Sequence, residues 1–142
     1  MKKGVPMSVN ALNTAVTGLQ TNQFRVDTTA NNIANVNTDG FQSRTVQSSD
    51  RAYINSIGSG TQVASTYTNA RPGPIAPATQ AGTGVEVMGG GSGGRSGMVE
   101  MSNTDMAREM TNMNASRAAY SINAVMGRTA DEMTRTILDI QA

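Results

Sequence analysis

The sequence predicts a mainly α fold, in which long N- and C-terminal helices pair as a coiled coil beside a small, irregular, β-containing middle segment. Apolar residues recur at three- and four-residue steps in residues 7–41 and again in residues 99–142, whereas residues 42–98 are rich in Ser, Thr, Gly and Pro. The chain therefore divides into an N-terminal helix with its exit turn (1–41), a middle segment with short strands and a Gly-rich linker (42–98) and a C-terminal helix (99–142).

The first helix carries an apolar stripe of the kind that forms a coiled-coil seam, and only Gln23 breaks it. The run from Asn35 to Gly40 should end this helix, because Asn, Asp and Gly tolerate left-handed backbone and bond to their own neighbours. The stripe consists of Val9, Leu12, Val16, Leu19, Val26, Ala30 and Ile33.

The middle segment favours strands over helix. Gln62–Thr68 alternates in the way that a strand does, and so do Val85 and Val87. Gly89–Gly94 is a flexible linker by composition. The sequence leaves open whether this linker is native or replaces other residues.

The last helix should begin after Ser102–Asp105, a cluster that offers several N-cap side chains. Asp105 and Glu109 suit the helix start, where a negative charge meets the positive end of the dipole. A helix of roughly 35 residues would be about 50 Å long. Its stripe shifts register once and consists of Met106, Met110, Met113, Tyr120 and Ala124, then Met126, Ala130, Met133, Ile137 and Ile140.

Composition excludes several functional classes. Ser, Thr, Asn and Gly make up 57 of the 142 residues, whereas Leu, Ile, Val and Phe make up only 23. The absence of His and Cys removes the commonest catalytic bases, nucleophiles and metal ligands, so we expect no enzyme, no cofactor and no metal site. A net charge of +1 gives no electrostatic footprint for nucleic acid, and no stretch is apolar enough to insert into a membrane.

Several segments resemble the bacterial flagellar axial proteins, a family of rod, hook and hook-associated subunits. Residues 97–105, 116–124 and 129–133 resemble the start and the body of that family's C-terminal helix, and residues 77–87 resemble the segment that precedes its central domain. The chain has the length of a short rod subunit. The N-terminal signature of the family is matched by Ala30, Asn31, Asn32, Ile33, Ala34, Asn35, Val36, Asn37, Thr38, Asp39, Gly40 and Phe41.

The resemblance implies a structural subunit of the basal-body rod, which spans the periplasm. Its helices would pack with copies of the chain and with other rod or hook subunits into a hollow helical tube for torque transmission and export. The resemblance also implies delivery by the flagellar type III export apparatus without a cleavable signal peptide. The residues expected at the packing interface are Leu12, Val16, Leu19, Val26, Ile33, Met110, Met113, Tyr120, Met133, Ile137 and Ile140.

A non-polymerising coiled-coil adaptor or export chaperone for axial proteins is the alternative. The two differ in location, because a rod subunit co-purifies with basal bodies and an adaptor stays in the cytoplasm.

Overall fold

A computed structural model of the chain describes residues 5–51, 60–77 and 98–141. Two long helices, α1 (Val5–Ala34) and α2 (Met106–Gln141), flank four strands in chain order. The strands are β1 (Arg44–Arg51), β2 (Gly60–Thr68), β3 (Ile75–Pro77) and β4 (Met98–Glu100). Within the described ranges, no helix has the apolar length that a membrane crossing requires.

The strands form two separate antiparallel sheets of two strands each. In the longer sheet, Arg44 pairs with Thr68 and Arg51 pairs with Gly60, with one irregularity between Gln47 and Ser48. The prediction of a strand over Gln62–Thr68 is confirmed by β2. Its partner β1 is a strand that the sequence did not predict, because only one of its eight residues, Val46, is apolar.

In the shorter sheet, β3 pairs with β4 over three residues each. Further main-chain hydrogen bonds lie at the end of this sheet where Ile75 pairs with Glu100. The N–H of Met101 donates to the carbonyl of Pro74 at 2.9 Å, and the N–H of Gly40 donates to the carbonyl of Glu100 at 2.7 Å. The turn after α1 is thereby attached to the strand that leads into α2.

The two helices lie side by side and run antiparallel. A Cβ at Gly18 would lie 2.5 Å from Nδ2 of Asn123, and one at Gly127 would lie 3.7 Å from Cβ of Ala15. The hairpin formed by β1 and β2 packs on α1 and makes no comparable contact with α2 among the described residues.

The expected mainly α coiled coil is wrong. Two small sheets share the fold with the helices, and the described part of the chain gives no indication of a coiled-coil seam. The only apolar side chains buried there are Ala15 and Ala130, whereas Leu12, Val16 and Met110 are at least 40% exposed. The helices therefore meet through small and polar residues, and the large apolar stripes lie at the edge of that contact.

The buried side of α1 is lined by polar residues and not, as the sequence had predicted, by the apolar stripe. The hairpin and α2 both pack against this polar side. The predicted linker Gly89–Gly94 and the strand signal at Val85 and Val87 lie outside the described residues. The division of the chain into domains stays a prediction. The buried polar side chains of α1 are Thr17, Thr21, Asn22, Thr29 and Asn32.

Candidate functional site

The signature segment at the end of α1 forms a junction between helices and sheets. α1 ends at Ala34, and turns follow through Gly40, so the predicted helix exit is confirmed. Gly40 has a φ of 67°, a left-handed conformation that a glycine adopts without the steric cost of a Cβ. The N–H of Thr38 donates to the carbonyl of Asn35 at 3.0 Å, which closes the turn.

Asn32, in the middle of the signature, holds the beginning of β1. Its Nδ2 donates to the carbonyl of Arg44 at 2.7 Å, and its Oδ1 accepts the N–H of Arg44 at 2.9 Å. The side chain is 0% exposed. One amide side chain thus pairs with both main-chain groups of a strand residue, as a neighbouring strand would.

Asn103, just before α2, likewise bonds to main-chain groups at the base of the β1–β2 hairpin. Its Oδ1 accepts the N–H of Ser43 at 2.8 Å, and its Nδ2 donates to the carbonyls of Asn69 and Arg71, both at 2.7 Å. The entry and the exit of the β1–β2 hairpin therefore meet at one side chain. From the sequence, Asn103 was only one of several N-cap candidates for α2. No local pattern indicated that it would bond to main-chain groups so far away along the chain.

Asp105 is the residue that caps α2. Its Oδ1 accepts the N–H of Arg108 at 3.1 Å, three residues into the helix. This geometry satisfies a main-chain donor that the helix leaves without a partner at its first turn. A carboxylate engaged as a cap indicates a structural role for Asp105.

A cavity of about 220 Å³ lies between α1, β1 and α2, and Arg25, Arg44 and Glu109 line it. Nη2 of Arg25 donates to Oγ of Ser48 at 2.6 Å, whereas Nε of Arg25 is buried with no hydrogen-bond partner among the described residues. Glu109 is only 7% exposed. No group of His, Cys, Asp or Glu in the described ranges is arranged to hold a metal ion.

None of the predicted interface residues is fully buried. Leu19, Val26, Ile33, Met113 and Ile137 are half-buried. Leu19 and Tyr120 come together at a shallow groove on the side of the helix pair away from the hairpin. The exposed members are Leu12, Val16, Met110, Tyr120, Met133 and Ile140.

We define the outer face as Leu12, Val16 and Leu19 of α1 with Met113 and Tyr120 of α2. Thr17 contacts the hairpin, where its Oγ1 accepts the N–H of Thr61 at 3.3 Å. Leu19 lies two residues further on and so about 200° around the helix. The outer face is therefore on the opposite side of α1 from the hairpin.

Family models match both ends of the chain. The model of the flagella basal body rod protein matches residues 12–42, and that of the flagellar basal body rod FlgEFG protein C-terminal region matches residues 95–140. No curated protein matches the chain. The two matched regions contain most of both helices, the signature turn and both asparagines of the junction, and together they span more than half of the sequence. The chain therefore belongs to the flagellar basal body rod family.

Proposed function

We propose that this chain is a structural subunit that assembles through its two helices, with copies of itself and with other axial subunits, into the hollow tube of the flagellar rod. The observation that carries the proposal is the state of its apolar side chains. Among the described residues, no apolar side chain larger than that of alanine is buried, and 16 large apolar side chains are exposed. A chain in this state needs neighbours to cover its apolar surface.

Membership of the rod family supports a structural, rod-type role in the flagellar basal body, in association with other rod components. This is a structural family and is not known as an enzyme family. The finer statements belong to the proposal. They are a place in the periplasm-spanning rod, transmission of torque, a channel for export, and delivery by the type III apparatus without a cleavable signal peptide.

The energetic basis is the hydrophobic effect. Full burial of a large apolar side chain contributes about 1.5–3 kcal/mol relative to exposure. Contiguous apolar patches on a monomer commonly mark surfaces that bind other proteins. Association costs about 4–15 kcal/mol, so a stable contact needs several such side chains covered on both partners.

The predicted interface set is retained as the proposed packing surface. In the proposal, these residues contact neighbouring subunits and do not form a seam within one chain. The hairpin would project from the helices and stiffen contacts between neighbours. The set comprises Leu12, Val16, Leu19, Val26, Ile33, Met110, Met113, Tyr120, Met133, Ile137 and Ile140.

Substitution of an interface residue by aspartate tests the proposal. We expect Leu19→Asp and Ile137→Asp to prevent incorporation into basal bodies, because each places a charge where a neighbour would exclude water. The measurements are immunoblots of purified basal bodies and motility in semi-solid agar.

Asn114→Asp is the matched control, because Asn114 is exposed and lies on neither apolar stripe of α2. This variant should be incorporated normally. Normal assembly and motility with both Leu19→Asp and Ile137→Asp would overturn the proposed interface. A wild-type chain that is found only in the cytoplasm would favour the adaptor.

A further inference from the structure

The turn after α1 contains an Asp–Gly pair, the sequence in which aspartate rearranges most readily to isoaspartate. Asp39 is followed by Gly40, and no other Asp or Asn in the chain precedes a glycine. Because glycine has no Cβ to shield its main-chain nitrogen, the carboxyl group of the preceding aspartate reaches that nitrogen with little steric hindrance.

The rearrangement needs only water. The main-chain nitrogen of Gly40 attacks Cγ of the protonated Asp39 carboxyl group, the nitrogen gives up its proton, and the carboxyl hydroxyl leaves with that proton as water. The product is a five-membered succinimide ring, which a second water molecule opens. When the ring opens at the original main-chain carbonyl, Gly40 stays joined to Cγ, so the main chain is one carbon atom longer and Cα carries the carboxylate.

In the folded chain, the side chain that would be attacked is not held. Asp39 is exposed, and its carboxylate forms no hydrogen bond or ion pair with any residue in the described ranges. No described atom lies within 4 Å of the point where a Cβ on Gly40 would be, so water has access to the pair. Packing therefore does not protect these two residues.

The nitrogen that would attack is held by a hydrogen bond. The N–H of Gly40 donates to the main-chain carbonyl of Glu100 in β4 at 2.7 Å, a short distance for such a bond. The turn around the pair is closed by the N–H of Phe41, which donates to the carbonyl of Thr38 at 3.2 Å. Attack on Cγ requires the nitrogen of Gly40 to lose its proton, so the hydrogen bond to Glu100 must open first.

We infer that Asp39–Gly40 is a site of spontaneous isomerisation to isoaspartate, which the hydrogen bond from Gly40 to Glu100 restrains while the chain is folded. A main chain that is one atom longer no longer fits a turn closed by two hydrogen bonds. Isomerisation therefore detaches the turn after α1 from the strand that leads into α2. The inference concerns the single chain and does not depend on its assembly.

Ageing of the full chain in native buffer and in concentrated urea tests this inference. Both samples are kept at mildly acidic pH, where some of the carboxyl groups are protonated, and isoaspartate is located by peptide mapping with electron-transfer fragmentation. We expect isoaspartate at position 39 to accumulate at least about twofold faster in urea, the smallest factor that opening one hydrogen bond corresponds to. Asp27, which precedes a threonine within α1, reports any isomerisation that does not involve glycine.

Asp39→Glu is the matched control. It keeps the charge at an exposed position, but its longer side chain would have to close a six-membered ring, so we expect no isomer over the same period. If no isoaspartate forms at position 39 in urea, the site is wrong. Equal rates in urea and in native buffer would show that the bond to Glu100 gives no protection.

Thermal unfolding tests the effect on the fold. The isomerised protein, separated by chromatography and refolded, should unfold at a lower temperature than unaged protein treated alike, whereas aged Asp39→Glu should keep its own midpoint. An unchanged midpoint of the isomerised protein would contradict the inferred loss of the attachment.

Discussion

Asn32 and Asn103 connect segments that are far apart in the sequence, and they do so through main-chain groups. Asn32 bonds to both main-chain groups of Arg44, and Asn103 bonds to three residues around the base of the hairpin. Buried main-chain groups need such partners, since leaving one unpaired costs about 1–3 kcal/mol. The amide of Asn or Gln is the side chain that both donates and accepts in this way.

Asn32→Ala should therefore lower the free energy of unfolding by about 2–3 kcal/mol, because both main-chain groups of Arg44 lose their partner. The measurement is urea unfolding followed by circular dichroism at a fixed protein concentration. Asn31→Ala is the control, because Asn31 is the exposed neighbour within the same signature. Equal losses in the two variants would contradict the assigned role of Asn32.

At the scale of the elements, small residues set the distance between α1 and α2. A Cβ at Gly18 would lie 2.5 Å from Asn123, which is closer than real Cβ contacts, whereas a Cβ at Gly127 would meet Ala15 at an ordinary 3.7 Å. A side chain at position 18 would therefore have to displace the amide of Asn123, whereas position 127 leaves room for a methyl group.

We expect Gly18→Leu and Gly127→Ala to change stability in opposite directions. The leucine forces the helices apart at a cost of about 1–3 kcal/mol. The alanine fits and should stabilise α2 by about 0.5–1 kcal/mol, because it reduces the conformational freedom of the unfolded chain. Thermal unfolding of both variants measures this, and stabilisation by leucine at position 18 would refute the close contact.

Much of the element layout was predictable from the sequence. The helices, the exit turn at Gly40 and the alternation that became β2 all follow from local patterns of apolar, Gly and Asn residues. The packing between them was not predictable in this way. Hydrophobic periodicity does not predict that Thr21 and Asn22 are buried, yet both are. Likewise, β1 has no strand pattern of its own and is a strand because it pairs with β2.

The candidate site was predictable to a similar degree. The signature segment and the apolar stripes were visible in the sequence, whereas the pairing of Asn103 with Ser43, 60 residues away along the chain, was not. Such pairing depends on where the fold brings distant residues together, and no local sequence pattern shows this. The stripes were visible as sequence features, but the exposure of many of their side chains at the surface was not predicted.

At the scale of the whole molecule, the chain has a helix pair and two small sheets but no core of large apolar side chains among the described residues. Its stability should therefore depend on association, because a neighbour that binds only the folded state shifts the equilibrium toward it. A tenfold increase in concentration adds at most about 1.4 kcal/mol for one contact.

We accordingly expect the midpoint of thermal unfolding to rise by a few degrees for each tenfold increase in protein concentration. Differential scanning fluorimetry with an extrinsic dye, at several concentrations, would measure this rise. Val16→Asp and Met133→Asp, which place a charge on exposed residues of the proposed packing surface, should show a midpoint that does not change with concentration. A wild-type midpoint that is equally constant would indicate that the monomer is stable without neighbours.

The attachment of the hairpin has a consequence for how freely this chain can change. Asn32 and Asn103 form hydrogen bonds with main-chain carbonyl and N–H groups, which nearly every amino acid supplies. The two ends of the hairpin meet at Asn103. Side chains along the hairpin can therefore be exchanged, and residues can be inserted at its far end, while the base remains held. The base of the hairpin is therefore an attachment point at which surface segments of different length and composition can be joined to an unchanged helix pair.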